Sequence, residues 1–238
     1  MRYAGGIQKC QTWFILKRWW QGFRYNQRVQ NSTDKLKDWL LSQRWVARAK
    51  DYKFWRRMIV MFCVMSIVGH WIEIVYCTFM DAAFGIVDDD FGVWGNPFSP
   101  FPVYGIASLL CFFFLVPLRN RLIEKTDSWA KSILAFFAIA VIFCFVMELG
   151  MGLIFNQPDP VTGEYPLWDN SELPLNILNQ AWLVNDIALG VLATFFTWVA
   201  IPLFVWGFNK LNNQNQTIAN CVSVAIVVVF ALLAIFLT

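Results

Sequence analysis

Hydrophobic positions along the chain gather into five long runs, roughly 58–80, 101–118, 132–155, 182–207 and 217–237, separated by polar segments. A bilayer-spanning helix needs about 20 predominantly apolar residues, and the second run is short but within the usual range. Backbone groups in hydrocarbon must find their hydrogen bonds inside their own segment, so each run predicts a transmembrane helix. The expected class is an all-α integral membrane protein with five transmembrane helices. Composition agrees: 58% of the residues are hydrophobic, 15% are charged and the mean hydropathy is +0.50, which excludes an ordinary soluble domain.

Charge sets the expected orientation. Fourteen of the nineteen Lys and Arg precede Met58; Arg119, Arg121, Lys125 and Lys131 follow the second run, and Lys210 follows the fourth. The segments 81–100 and 156–181 hold none and are acidic instead. The positive-inside rule then predicts the N-terminus inside and the C-terminus outside. Within residues 1–57 the bases are interleaved with Trp13, Phe14, Trp19, Trp20, Phe23, Trp39, Trp45 and Trp55. This is the composition of amphipathic helices lying on an anionic cytoplasmic leaflet, or of an arm docking a partner subunit. No nucleic-acid-reading motif appears, so nucleic acid is not an expected partner; membrane lipid is. The first acid, Asp34, follows six basic residues, a bias shared with mitochondrial transit peptides, while the first long apolar run starts too late for a secretory signal. The expected location is a bacterial-type inner membrane or an organellar (mitochondrial) inner membrane.

The chain repeats itself. "WGNPFSP" and "WDNSELP" both read Trp-x-Asn-x-x-x-Pro: Trp94, Asn96 and Pro100, then Trp168, Asn170 and Pro174, offset by 74 residues. Upstream lie Glu73 and Glu148, offset by 75 residues. Both acids fall in runs that travel inside to outside, about 15 residues from the inner end, or roughly 22 Å along a helix. Two parallel helix-loop-helix repeats are therefore expected, with a site where they meet. The boundaries that follow are a basic arm over 1–57, a first repeat over 58–130, a second over 131–207 and an extra helix over 208–238. The prolines at 97, 100 and 102 forbid regular structure in the first outer loop, which predicts a tightly folded or re-entrant segment.

Acids inside apolar runs mark candidate chemistry. A charged carboxylate near the bilayer centre costs about 2.5–3.5 kcal/mol on insertion scales. No Lys or Arg is available on the outer side; His70, one turn before Glu73, is the available partner. Glu73, Glu148 and His70, with Asp186 at the mouth of the fourth run, form the candidate binding site. The acids are expected to be protonated, to share a proton across the repeat axis, to face a cationic ligand, or to be neutral and bonded to Tyr76, Tyr104 or Asn side chains. The run Asp88–Asp89–Asp90 lacks the alternating spacing of a calcium loop and reads as a solvated turn. Six cysteines without a CxxC pair read as small core hydrophobes, and one histidine does not build a multi-His metal centre. No metal, no cofactor and no catalytic Ser/His/Asp set is expected.

The motifs resemble the CmpB-type family of small multispan proteins assigned to ABC-transporter permeases. Gly69 and Glu73 hold the ends of its Gly-Trp-x-x-Glu element, with His70 where the family has Trp and Trp71 shifted by one. Pro102, Tyr104 and Gly105 match its Pro-x-Tyr-Gly turn. Glu148 and Gly152, then Trp168, Asp169 and Ser171, then Pro174 and Asn176 match the second half, with Asn170 in place of tyrosine and an insertion around 157–166. The resemblance covers roughly residues 66–192. It implies transport without naming a substrate. The chain carries no Walker A motif, so an ATPase partner would be a separate protein. Three functions are weighed: a permease-like transport protein with a cation or proton site between the repeats; an accessory or scaffold subunit of a large membrane complex; and, third, an intramembrane enzyme, for which paired acids without a Ser/His/Asp set or metal cluster are weak evidence.

Overall fold

The computed structural model describes residues 32–43, 51–85 and 92–237. The chain divides into two units, Met1–Arg44 and Trp45–Thr238. In the first, residues 32–42 form a helix, α1, that places Leu36, Trp39 and Leu40 on one face by their spacing. The rest of the expected basic arm up to residue 50, and the Asp88–Asp90 run, lie outside the described residues.

The second unit contains five helices long and apolar enough to cross a membrane. They are α2 (Tyr52–Phe84), α3 (Pro102–Lys125), α4 (Trp129–Phe155), α5 (Leu183–Gln214) and α6 (Gln216–Leu237). The protein is a multi-pass integral membrane protein. Helix α2 overruns its apolar run at both ends because its caps lie further out. Asp51 accepts the Lys53 N–H at 2.9 Å to start α2. Gly85, at φ 62°, ends it in the left-handed conformation that glycine tolerates, its N–H bonded to the Asp81 carbonyl.

Helices α2 and α3 pack as one pair and α4 and α5 as another, each closing where a glycine removes a side chain. A Cβ on Gly105 would sit 2.4 Å from Ser66 Oγ, and one on Gly190 would sit 2.4 Å from a Val141 methyl. Both α3 and α5 contain a single π turn, Cys111–Leu115 and Phe196–Ala200, each followed within two residues by a proline, Pro117 and Pro202. The two π turns pack on one another where the helix pairs meet. The π register also determines which carbonyl the proline leaves over. The Ile201 N–H reaches back to Phe196 O, so Pro202, lacking an N–H, leaves Thr197 O free. Arg119, wholly buried, donates to that carbonyl from Nη1 at 2.6 Å.

Helix α6 runs alongside α2 in the same direction. Gln216 accepts from Lys53 and Asn220 accepts from Arg56 at one end. Phe62 and Phe230 stack edge to face, and Ser99 Oγ donates to Leu237 O at the other end.

The proline-rich loop folds back on α2, as expected. The Phe101 N–H bonds Ser66 O, and Trp71 Nε1 donates to Pro97 O. These contacts lie roughly 20 to 27 Å back along α2 from Phe84. The second outer loop makes a two-strand ribbon, β1 (Asn176–Ile177) and β2 (Ala181–Trp182), turned by Leu178 and Asn179 at φ 54° and 58°. Asparagine suits that left-handed position and leucine does not.

Candidate functional site

Helix α4 carries Glu148 to the junction of the two helix pairs. Both of its carboxylate oxygens lie 3.0 Å from Asn185 Nδ2, which donates to them. Asn185 Oδ1 in turn accepts from the Tyr76 hydroxyl at 2.9 Å. One amide on α5 thus ties α2 to α4. Asp186, the next residue, is wholly buried, and its carboxyl faces that of Glu148. Apart from the Glu148 carboxyl, neither Asp186 oxygen has a partner. Two carboxyls in contact are stable when one proton or one cation lies between them.

The first helix pair holds a different arrangement. Glu73 stands beside the Tyr104 hydroxyl, and its Oε2 is buried without a partner. His70, also wholly buried, stacks on Phe101 with ring centroids 3.9 Å apart and planes 7° off parallel. Its Nδ1 lies 2.9 Å from Ser99 O and its Nε2 3.1 Å from Val93 O. The histidine thereby pins the returning loop to α2.

The expected site residues are therefore brought together as two clusters, Glu148 with Asp186 and Glu73 with Tyr104 and His70. Tyr76 and Cys77 of α2 stand between them, Tyr76 facing Glu148 and Cys77 facing Glu73. The carboxyl contact joins Glu148 to Asp186 of its own helix pair. Among the described residues, no group of three His, Cys, Asp or Glu side chains is placed to hold a metal ion.

The loop motif has a structural explanation. In both copies the Asn carbonyl accepts from the N–H three residues on, Asn96 from Ser99 and Asn170 from Leu173. The side chains then diverge. Asn96 Oδ1 accepts the Phe98 N–H, whereas Trp168 Nε1 and Asn170 Nδ2 both donate to Gln180 O at 2.8 and 3.0 Å. Trp94 ends the short 3₁₀ turn Gly92–Trp94 at the surface, and Pro100 is buried. Asp169 accepts the Ser171 N–H, Pro174 O accepts from Trp182 Nε1, and Asn176 Nδ2 donates to Leu173 O. The loop residues thus organise the fold around the site.

Sequence reasoning missed Asn185, Gln180, Asn156 and the role of Arg119. Asn156 and Gln180 bond each other twice, Asn156 Nδ2 to Gln180 Oε1 and Gln180 Nε2 to Asn156 O. The signal for Asn185 was an Asn-Asp pair inside an apolar run.

The profile of the CmpB family, described as "Putative ABC-transporter type IV", matches residues 60–236. The chain belongs to that family. The match reaches through α6, so the last helix lies inside the family region and not beyond it, as the motif comparison over 66–192 had placed it. No curated protein and no solved structure matches the chain.

Proposed function

We propose that this chain is the membrane-spanning part of a transport system. In this reading the two helix pairs are parallel repeats, and a site for a proton or small cation lies at their junction. The single observation that carries it is Asp186. A wholly buried acid facing a second acid is costly at bilayer depth, and a positive charge bound between the two offsets that cost. Ionised carboxylates at bilayer depth cost about 2.5–3.5 kcal/mol each on insertion scales, before their mutual repulsion. Membership of an ABC-transporter-type family supports the transport reading, with ATP hydrolysis supplied by a separate protein.

The basic ends of α2, α3 and α5 support an orientation with those ends inside. A membrane-impermeant thiol reagent should then label Thr162→Cys from outside and Asn213→Cys from inside only.

The decisive test is reconstitution of the purified protein, alone and together with any ATPase that co-purifies with it, into liposomes holding a pH-sensitive dye. Under an imposed membrane potential, the protein should pass protons or a small cation, and Glu148→Gln with Asp186→Asn should stop the flux while the protein still reconstitutes. Flux equal to protein-free liposomes, with an intact fold, would favour the accessory-subunit reading.

A further inference from the structure

We infer that Glu148 and Asp186 together bind one proton, shared between the two carboxyl groups, and that this pair is the ligand position of the site. The inference rests on the functional reading above and assigns its ligand.

The argument starts from the correspondence of the two helix pairs. Val141 lies 75 residues after Ser66, and Gly190 lies 85 after Gly105; these are the residues that meet at the two glycine contacts. The π turns and their prolines keep the same 85-residue offset. Glu148 stands at the position of Glu73 under the first offset. The same registers place Phe145 where the first pair has His70, and Asp186 where it has Phe101. The ionisable partner has changed helix and sign. In the first pair an acid has a histidine one turn earlier, and both nitrogens of that ring meet carbonyl oxygens. In the second pair an acid faces an acid.

That second cluster has a gap shaped for a hydrogen. Asn185 supplies its donor to Glu148 alone, and its oxygen is already used by Tyr76. Neither Asp186 oxygen has a donor in the described structure, and the Glu148 carboxyl stands beside it. One proton taken up by the two carboxylates makes an O–H on one oxygen that donates to the other, and the pair keeps a single negative charge. No other bond changes. The other titratable groups facing the pair are Tyr76 from α2 and Cys144 from α4. Among the described residues no third His, Cys, Asp or Glu side chain joins the pair to make a metal-holding group.

The test is infrared difference spectroscopy of the purified protein in lipid nanodiscs at neutral pH. A carboxylic-acid C=O band should be present, should shift in D₂O, and should disappear in Glu148→Gln and in Asp186→Asn. It should persist in Glu73→Gln and be unmoved by sodium or potassium. Asp186→Glu, which keeps a carboxyl, covers the case in which Asp186→Asn does not fold, and should retain the band. A band that survives in both single variants, that vanishes in Glu73→Gln, or that sodium displaces would overturn the inference. A band behaving as described in a protein that moves no protons would uphold it and defeat the transport reading instead.

Discussion

Asn185 Nδ2 stands 3.0 Å from both carboxylate oxygens of Glu148, so one amide nitrogen holds the acid in place from the neighbouring helix. Asn185→Leu removes that donor and the acceptor used by Tyr76 together. Leaving buried polar groups unpaired costs about 1–3 kcal/mol. The variant should show a clear drop in melting temperature in detergent. Asn185→Asp removes the donor but keeps the acceptor for Tyr76, and places a third carboxyl beside two others, so it should be the worse of the two. Equal stability of Asn185→Asp and the parent protein would contradict the placement.

Helix contact depends on Gly69 as directly. An added Cβ there would lie 2.2 Å from Tyr104 Cβ, a distance that no rotamer change relieves. Gly69→Ala should therefore destabilise by about 1–3 kcal/mol through overpacking. It should also disturb the Tyr104 contact to Glu73. Gly207 has nothing within 4 Å of such a Cβ. Gly207→Ala should be neutral or stabilising by about 0.5–1 kcal/mol, since alanine is the better helix former. Thermal melts of both variants give the comparison directly.

The number and position of the helices were legible because membrane spans announce themselves by uninterrupted apolarity. Intramembrane acids are legible for the same reason, and Glu73, Glu148 and Asp186 all stood out against their runs. Their partnership was not. Nothing in the spacing of Glu148 and Asp186 says that α4 and α5 bring them face to face, because that follows from Gly190 packing on Val141. The repeated Trp-x-Asn-x-x-x-Pro element marked a repeat and a tightly folded loop without showing its bonds. In the structure both Asn carbonyls accept a turn N–H, and in the second copy Trp168 and Asn170 donate to Gln180 O. Arg119 sat among the inner basic residues and read as one of them. Its burial depends on a π turn that no charge pattern reveals.

Asp159 offers a pH readout outside the spans. Its carboxylate accepts the N–H groups of Val161 and Thr162 at 2.7 and 3.0 Å, and these bonds hold its pKa below the usual carboxylate range. A lowered folded-state pKa means the turn is supported at and above the ordinary aspartate range. That support is lost as pH falls through the folded value. Hydrogen exchange at the Val161 and Thr162 amides should accelerate in acid beyond the intrinsic rate change. Asp159→Asn keeps an accepting oxygen but cannot titrate, so its exchange should follow the intrinsic pH dependence alone.

Arg119 and Pro202 give the most discriminating comparison. Pro202 lacks the N–H that the π register would deliver to Thr197 O, and Arg119 supplies the missing donor at 2.6 Å from another helix. Arg119→Met keeps much of the side-chain volume and leaves that carbonyl without the guanidinium, at a cost of about 1–3 kcal/mol. Pro202→Ala restores a local N–H. If the arginine acts by replacing the proline's absent donor, the methionine substitution should cost much less in the Pro202→Ala background, with a coupling of about 0.5–3 kcal/mol in a double-mutant cycle. If Arg119 is merely a packed side chain, the two losses should add. Chemical or thermal unfolding of the four proteins in one detergent measures the coupling. Because the arginine joins α3 to the π turn of α5 where the helix pairs meet, transport should follow the same pattern: reduced in Arg119→Met and substantially restored in the double variant. Strict additivity in both measurements would refute the assignment of Arg119 as the donor that Pro202 displaced.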